Sequence, residues 1–295
     1  MTDGNSDANG FDQRDLVPGS DRLPVRTVGA WSKDKHHFLA RYIDAFTKAM
    51  KGKPAWTGIG YVDLFAGPGM CVVRDTGEEI DASPLLALQT DKPFDVFAYA
   101  DKSEDSLHAI LSRFGARKAS TEPLTFQGDC NQRIDDIAKV LPRGHLYLAF
   151  LDPTGLDIHF ETIRALTANH RVDLIVVFMD RLDLNRNIAK TYYDTQESKL
   201  DAFFGAGSNW RSKFADLANW TADKVTELSL DIYRKQLRTI GYECFGKTVR
   251  IIGKAGAART PFYLLFFASK HPLGAKIWNS TSSVDRGGQR GLYRL

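Results

Sequence analysis

The segment Tyr61-Val-Asp-Leu-Phe-Ala-Gly-Pro-Gly69 constrains this chain more than any other. An apolar run enters a turn with glycine at two alternate positions, so the backbone there can reverse sharply and lie close to a ligand. In open α/β sheets such ligands sit across the carboxyl ends of the strands. The turn therefore predicts a buried strand ending at a binding site. Asp63 stands at the strand end, where a carboxylate can accept hydrogen bonds from loop amides and from a ligand's ammonium group. Phe65, Gly67 and Gly69 complete the expected floor of that site.

The rest of the chain repeats the strand-then-helix alternation. Four further apolar runs follow, Val96–Tyr99, Leu124–Gln127, Leu146–Leu151 and Leu174–Phe178, most of them trailed by a segment of helical period. Strands buried on both faces read this way, and the alternation predicts a parallel sheet. Ahead of the first strand, Phe38, Leu39, Tyr42, Ile43, Phe46 and Met50 mark an amphipathic helix, with Ser32 available as its N-cap. A helix through Val225, Leu228, Ile232, Tyr233 and Leu237 precedes Tyr242–Ile252 and Pro261–Ser269. The GKAGAART turn between these last two runs is short enough to require an antiparallel hairpin. The expected fold is α/β, Rossmann-like in the manner of class I methyltransferases: a seven-stranded, mostly parallel sheet with an antiparallel terminal hairpin and a helical insert. The expected organisation is a flexible arm over 1–29, poor in aromatic residues, a folded domain over 30–272 with the insert at about 181–220, and a basic tail over 273–295.

With 295 residues, 43% hydrophobic and 25% charged, the chain has the composition of an ordinary globular protein. A net charge of +3 does not by itself point to nucleic acid. No run approaches the ~18 apolar residues needed to span a bilayer, and the opening MTDGNSDANGFDQRD has neither a basic nor an apolar stretch, so a cytoplasmic location without membrane contact is expected. The three cysteines, Cys71, Cys130 and Cys244, show no CxxC spacing, so neither structural zinc nor a disulfide framework is expected.

The glycine turn separates two cofactor classes. A dinucleotide fingerprint needs a third small residue three positions after the second glycine, directly opening a helix. Here Val72 and a polar stretch intervene, and the next helix waits for Ser83-Pro84. The amide cradle for a pyrophosphate is missing, which disfavours a dehydrogenase. S-adenosylmethionine (SAM) carries no phosphate and fits the departure. Asp101 after the second strand is placed to take the ribose hydroxyls. Asp129 after the third, with Cys130 and Asn131 beside it, is placed for the adenine. Asp152-Pro153-Thr154-Gly155 ends the fourth strand where a methyl acceptor would meet the sulfonium, so Asp152 and Pro153 are the catalytic candidates. Base amino-methyltransferases have Asp/Asn-Pro-Pro and then an aromatic at this turn; with Thr154 and Gly155 in its place, the stacking ring must come from Phe150, Phe178 or an aromatic of the insert such as Tyr192 or Tyr193. A nitrogen or oxygen acceptor is expected, a nucleic-acid base among them. Carbon methylation of cytosine is disfavoured, because no cysteine follows a proline to serve as the nucleophile. Lys33, Lys35, His36 and His37 at the head of the first helix are candidates to border the cofactor or an acidic substrate but read first as a solvated helix face, and Asp180 and Arg181 at the end of the fifth strand read equally as secondary candidates beside the acceptor pocket and as a surface ion pair.

With these residues in view, the chain resembles the three-Cys-motif partner family over about 30–270. The resemblance is carried by Trp31, Ser32 and Lys35 at the head of the first helix, the YVDLFAGPG string, the Ser83-Pro84 pair, the Asp152-Pro153-x-Gly155 turn and the LDAFFG segment from Leu200 to Gly205. It implies a SAM-dependent methyltransferase and a protein partner bearing a three-cysteine motif. A SAM-binding scaffold acting with that partner is the alternative it leaves open.

Overall fold

In the computed structural model, which describes residues 16–215, 220–255 and 258–289, two short strands, β1 (Leu16–Pro18) and β2 (Pro24–Val28), precede a long helix, α1 (Ser32–Met50). The six apolar residues expected on one face of α1 are all buried. Then come β3 (Ile59–Asp63), β4 (Met70–Val73), β5 (Glu79–Asp81) and the short α2 (Ser83–Leu86). Three strand-helix units follow: β6 (Val96–Asp101) with α3 (Glu104–Ala116), β7 (Leu124–Gln127) with α4 (Cys130–Val140), and β8 (Leu146–Leu151) with α5 (Phe160–Ala168).

After β9 (Arg171–Phe178) the backbone winds as a π-helix at Asp180–Leu184 and Ile188–Tyr192, with α6 (Asn185–Asn187) between. The short helices α7 (Lys199–Phe204) and α8 (Trp210–Ala215) lead on to α9 (Ala222–Thr239), β10 (Cys244–Phe245), β11 (Val249–Ala255), β12 (Ala258–Ser269) and α10 (Pro272–Thr281). No helix among the described residues is long and apolar enough to cross a membrane.

β3 pairs in parallel with β6 on one side and β8 on the other, β6 carries β7, and β8 carries β9. β12 pairs antiparallel with β9 through Leu264–Ala268. The opposite edge of β12 holds both β11 and β10, which act as one interrupted edge strand. Seven strand positions result, ordered third, second, first, fourth, fifth, seventh and sixth along the chain, with the seventh reversed. That order is the Rossmann-like class I methyltransferase fold. The chain changes direction on either side of β3, so its carboxyl end is the switch point where such sheets bind ligands. The hairpin is tighter than its sequence indicates, with pairing continuing through Ala255 and Ala258.

The boundaries drawn from sequence need two corrections. Of the arm expected over 1–29, residues 1–15 lie outside the described residues, but β1 and β2 are paired strands. β2 pairs in parallel with β4, and β4 pairs antiparallel with β5, so the stretch that delays α2 is half of a second, four-stranded sheet ordered β1-β2-β4-β5. The buried guanidinium of Arg113 on α3 fastens this sheet: it donates to Asp21 at 2.8 and 2.9 Å, to the Pro24 carbonyl at 3.0 Å and to the Pro68 carbonyl at 2.6 Å. Likewise, the tail expected over 273–295 begins as α10, whose Trp278 is fully buried and stacks on Phe267 with centroids 5.4 Å apart. Its last residues, 290–295, lie outside the described residues.

Candidate functional site

The turn after β3 has the geometry that its glycines require. Gly67 and Gly69 have φ of 59° and 83°, in the left-handed region that a Cβ disfavours. Asp101, at the end of β6, fixes the turn from the neighbouring strand, its carboxylate accepting the Gly67 N–H at 2.7 Å and the Ser103 N–H at 2.8 Å. Burial pushes the Asp101 carboxyl upward despite those amides.

Asp63 is fully buried directly beneath. One of its oxygens accepts the Phe65 N–H at 3.1 Å, and the other, Oδ2, has no partner within hydrogen-bond distance. Burial pushes this carboxyl up to about 7, against the pull of the nearby Ser83 hydroxyl and of the Phe65 amide. A buried oxygen without a donor is costly, and a ligand ammonium would supply one.

A cleft runs along the ends of β6, β7 and β8, lined by Phe65, Asp101, Lys102, Asp129, Cys130 and Asp152 among others. Asp129 caps α4 by accepting the Asn131 N–H at 2.9 Å and pairs with Lys102 at 2.9 Å. Burial raises its carboxyl, but Lys102 and the Asn131 amide outweigh that and hold it below its ordinary value. Burial pushes the Cys130 thiol up to about 12, so it fills space as a thiol and is no nucleophile. Asn131 is committed to the protein: it donates to the Asp157 carbonyl at 2.9 Å and accepts from the His159 N–H at 3.0 Å and the Thr162 hydroxyl at 2.7 Å.

A second cavity opens beyond the glycine turn and shares Arg26, Phe65, Asp152 and Thr154 with the first. Asp152 and Pro153 line this cavity as the sequence placed them. Asp152 is also ion-paired through Oδ2 with Lys35 of α1. The α1 face read as solvated is therefore partly a wall of the site: the Lys35 side chain is 12% exposed, and its charge is stabilised by Asp152 in spite of burial.

Gly155 has a physical cause. A Cβ there would stand 2.6 Å from an Asp183 oxygen, the same carboxylate oxygen that accepts the Leu156 N–H at 2.8 Å. The insert thus reaches back to hold the Asp152–Gly155 turn, and a bulky aromatic at this position is excluded.

None of the four expected stacking rings faces the cavity. Phe150 and Phe178 are wholly inside the sheet core. Tyr192 is buried and donates to Asp183, and Tyr193 packs against Trp210 and Trp220 within the insert. The rings on the cavity wall are Trp31, Phe65 and Tyr263. Trp31 entered the sequence reading only through the family resemblance, and Tyr263 and Arg26 not at all. Asp180 is no surface ion pair either: it is fully buried, held by Arg250 at 2.6 and 2.7 Å and by the Thr226 hydroxyl at 2.8 Å.

No protein-family model matches the sequence, and no curated protein matches it. Solved structures similar to the chain include a protein from Legionella pneumophila strain Philadelphia 1, at 12% identity and TM-score 0.49 over 86% of this chain and 92% of that one. Another is magnesium protoporphyrin IX methyltransferase from Synechocystis with bound SAM, at 14% identity and TM-score 0.38 over 82% and 85%. A third is an O-methyltransferase from Streptomyces achromogenes in complex with SAM, at 10% identity and TM-score 0.44 over 83% and 82%. With all three scores below 0.5, the fold assignment rests on the strand order and not on these overlays.

Proposed function

We propose that this protein is a SAM-dependent methyltransferase acting on a nitrogen or oxygen acceptor, with a nucleic-acid base as the favoured one. The observation that carries the reading is the unpartnered Oδ2 of Asp63 under the Gly67-Pro68-Gly69 turn. SAM is a cofactor whose ammonium answers that oxygen and whose lack of phosphate suits the delayed α2.

In this reading Asp63 accepts from the ammonium, and the Arg26 guanidinium, within 4 Å of where a Gly67 Cβ would be, attracts the carboxylate of the same amino acid. Asp101 has a second lone pair on each oxygen for the ribose hydroxyls. Asp129, Cys130 and Phe65 enclose the adenine. SAM supplies a sulfonium methyl open to in-line displacement. The chain's own contribution is alignment at near-attack distance.

Lys35 holds Asp152 by Oδ2, which leaves Oδ1 with no hydrogen-bond partner among the described residues. That oxygen can accept an N–H from an acceptor amine and hold its nitrogen toward the methyl, with the Pro153 backbone fixing the turn. Isothermal titration with SAM, followed by labelled-methyl transfer onto tRNA, rRNA, duplex DNA and the three-cysteine-motif partner, tests the proposal. SAM binding is expected, with transfer abolished in Asp152→Ala; full activity in that variant would remove Asp152 from the chemistry.

One observation favours a second reading, a SAM-binding scaffold for the partner protein: Asp152 is already engaged in an ion pair with Lys35. SAM binding without transfer to any of the four acceptors would select it.

A further inference from the structure

The second cavity has three features that the methyltransferase reading leaves unused. The first is a fixed aromatic wall. The six-membered ring of Trp31 lies so close against Gly29 that a Cβ there would fall 2.0 Å from it, and Phe262 meets the indole edge-on with centroids 4.5 Å apart. The ring is packed against both neighbours and also lines the cavity. The second is a pair of neutral hydrogen-bonding groups in the same wall, the Tyr263 hydroxyl and His36 Nδ1, both buried and both without a partner. Burial and the neighbouring Lys35 charge push the His36 imidazole down to about 3, so it is neutral at ordinary pH. A hydroxyl and a neutral imidazole can each donate or accept, as the edge of an uncharged heterocycle requires. The third is Arg74, exposed at the rim, whose guanidinium makes no ion pair or hydrogen bond among the described residues.

From these we infer that the cavity takes a single base of a single-stranded nucleic acid, stacked on Trp31, with Tyr263 and His36 at its edge and Arg74 on an adjoining phosphate. The inference deepens the proposed function and rests on it for the base's role as methyl acceptor. A base inside a duplex cannot reach a recessed wall of this kind, so the strand must be unpaired or the base turned out. A flat ring beside an unengaged guanidinium is the pairing that single-strand binders use, because every base offers a π-face and every linkage an anionic oxygen.

The test is fluorescence anisotropy of the full chain with labelled 20-nucleotide single strands of mixed sequence, one RNA and one DNA, alongside SAM titration of the same variants. Trp31→Ala is expected to weaken oligonucleotide binding roughly ten- to hundredfold, with Trp31→Phe retaining most of it and SAM affinity unchanged in both. Arg74→Gln, on an exposed side chain whose loss leaves the fold intact, is expected to weaken binding several-fold and to reduce the salt slope by about one. The stronger of the two strands identifies the sugar. Native-like binding in both Trp31→Ala and Arg74→Gln overturns the inference, as does failure of the native chain to bind either strand. Trp31-dependent oligonucleotide binding without SAM binding would keep the inference and remove the methyltransferase reading. SAM binding without any dependence on Trp31 or Arg74 would do the reverse.

Discussion

A single carboxylate, Asp63, links the local chemistry to a measurable pH dependence. An ordinary aspartate ionises near ~3.9, whereas burial holds this one up to about 7 in the folded chain. Its contribution to stability is therefore fully present below ~4 and is lost as pH rises through about 7, because the unfolded chain ionises more readily. Asp63→Asn without ligand is expected to melt higher than the native chain at pH 8 and at the same temperature near pH 4, measured by differential scanning calorimetry. SAM has the opposite preference, since its ammonium favours the ionised carboxyl. Binding should expel a proton below pH 7, affinity should climb with pH and level off near 7, and Asp63→Asn should flatten that slope and cost about 1.5–3 kcal/mol. Calorimetric titration in two buffers of different ionisation heat reads the proton directly; an Asn variant with native affinity and slope would exclude Asp63 from the site. Asp63, Gly67, Gly69 and Asp101 were legible in the sequence because strand ends and glycine turns are local features. Trp31, Arg26 and Tyr263 were not, because periodicity shows which face of an element is apolar but not which distant loop or strand comes to rest across from it.

The five parallel strands of the central sheet were legible as elements for a related reason. Strands covered on both faces are nearly continuous apolar runs, and β3, β8 and β9 are buried almost throughout. The small sheet is the opposite case. Its strands are three to five residues long and half-exposed, and the β2–β4 pairing spans the whole of α1 and β3, so no local window contains both partners. Sequence composition alone made residues 16–28 look like an arm. Arg113 is what makes them a wall, and its removal gives a test at this level. Arg113→Met would leave Asp21 unpaired and two backbone carbonyls, Pro24 and Pro68, without their donor, at about 1–3 kcal/mol for the buried Pro68 carbonyl. Limited proteolysis should then cut within 16–29 before the central sheet is attacked, and SAM affinity should fall as Arg26 departs from the glycine turn. A variant with the native digestion pattern and native affinity would show that the small sheet holds without Arg113.

Across the whole molecule, the strand order sets the ligand position and the delayed α2 sets its chemistry. In a dinucleotide fold the helix after the first strand begins at the glycine turn and points its N–H groups at the pyrophosphate. Here α2 begins only at Ser83, its first three residues are buried, and the Ala82 N–H ahead of it is spent on the Gly69 carbonyl at 2.8 Å. The space between is taken by β4 and β5. No helix terminus is offered to a phosphate at this turn, and the carboxylates of Asp63, Asp101 and Asp129 suit a cationic sulfonium better than a pyrophosphate dianion. A ligand that binds only the folded state stabilises it by about 2.7 kcal/mol at a hundred times its Kd, and in a chain of this size each kcal/mol moves Tm by roughly 2–4 °C. SAM at that concentration is therefore expected to raise Tm by about 5–10 °C, and NADH at the same concentration to leave it unmoved, in parallel thermal-shift scans. An equal rise with NADH would mean that the cleft accommodates a pyrophosphate after all, and the assignment of the glycine turn to an adenosyl amino acid would fail with it.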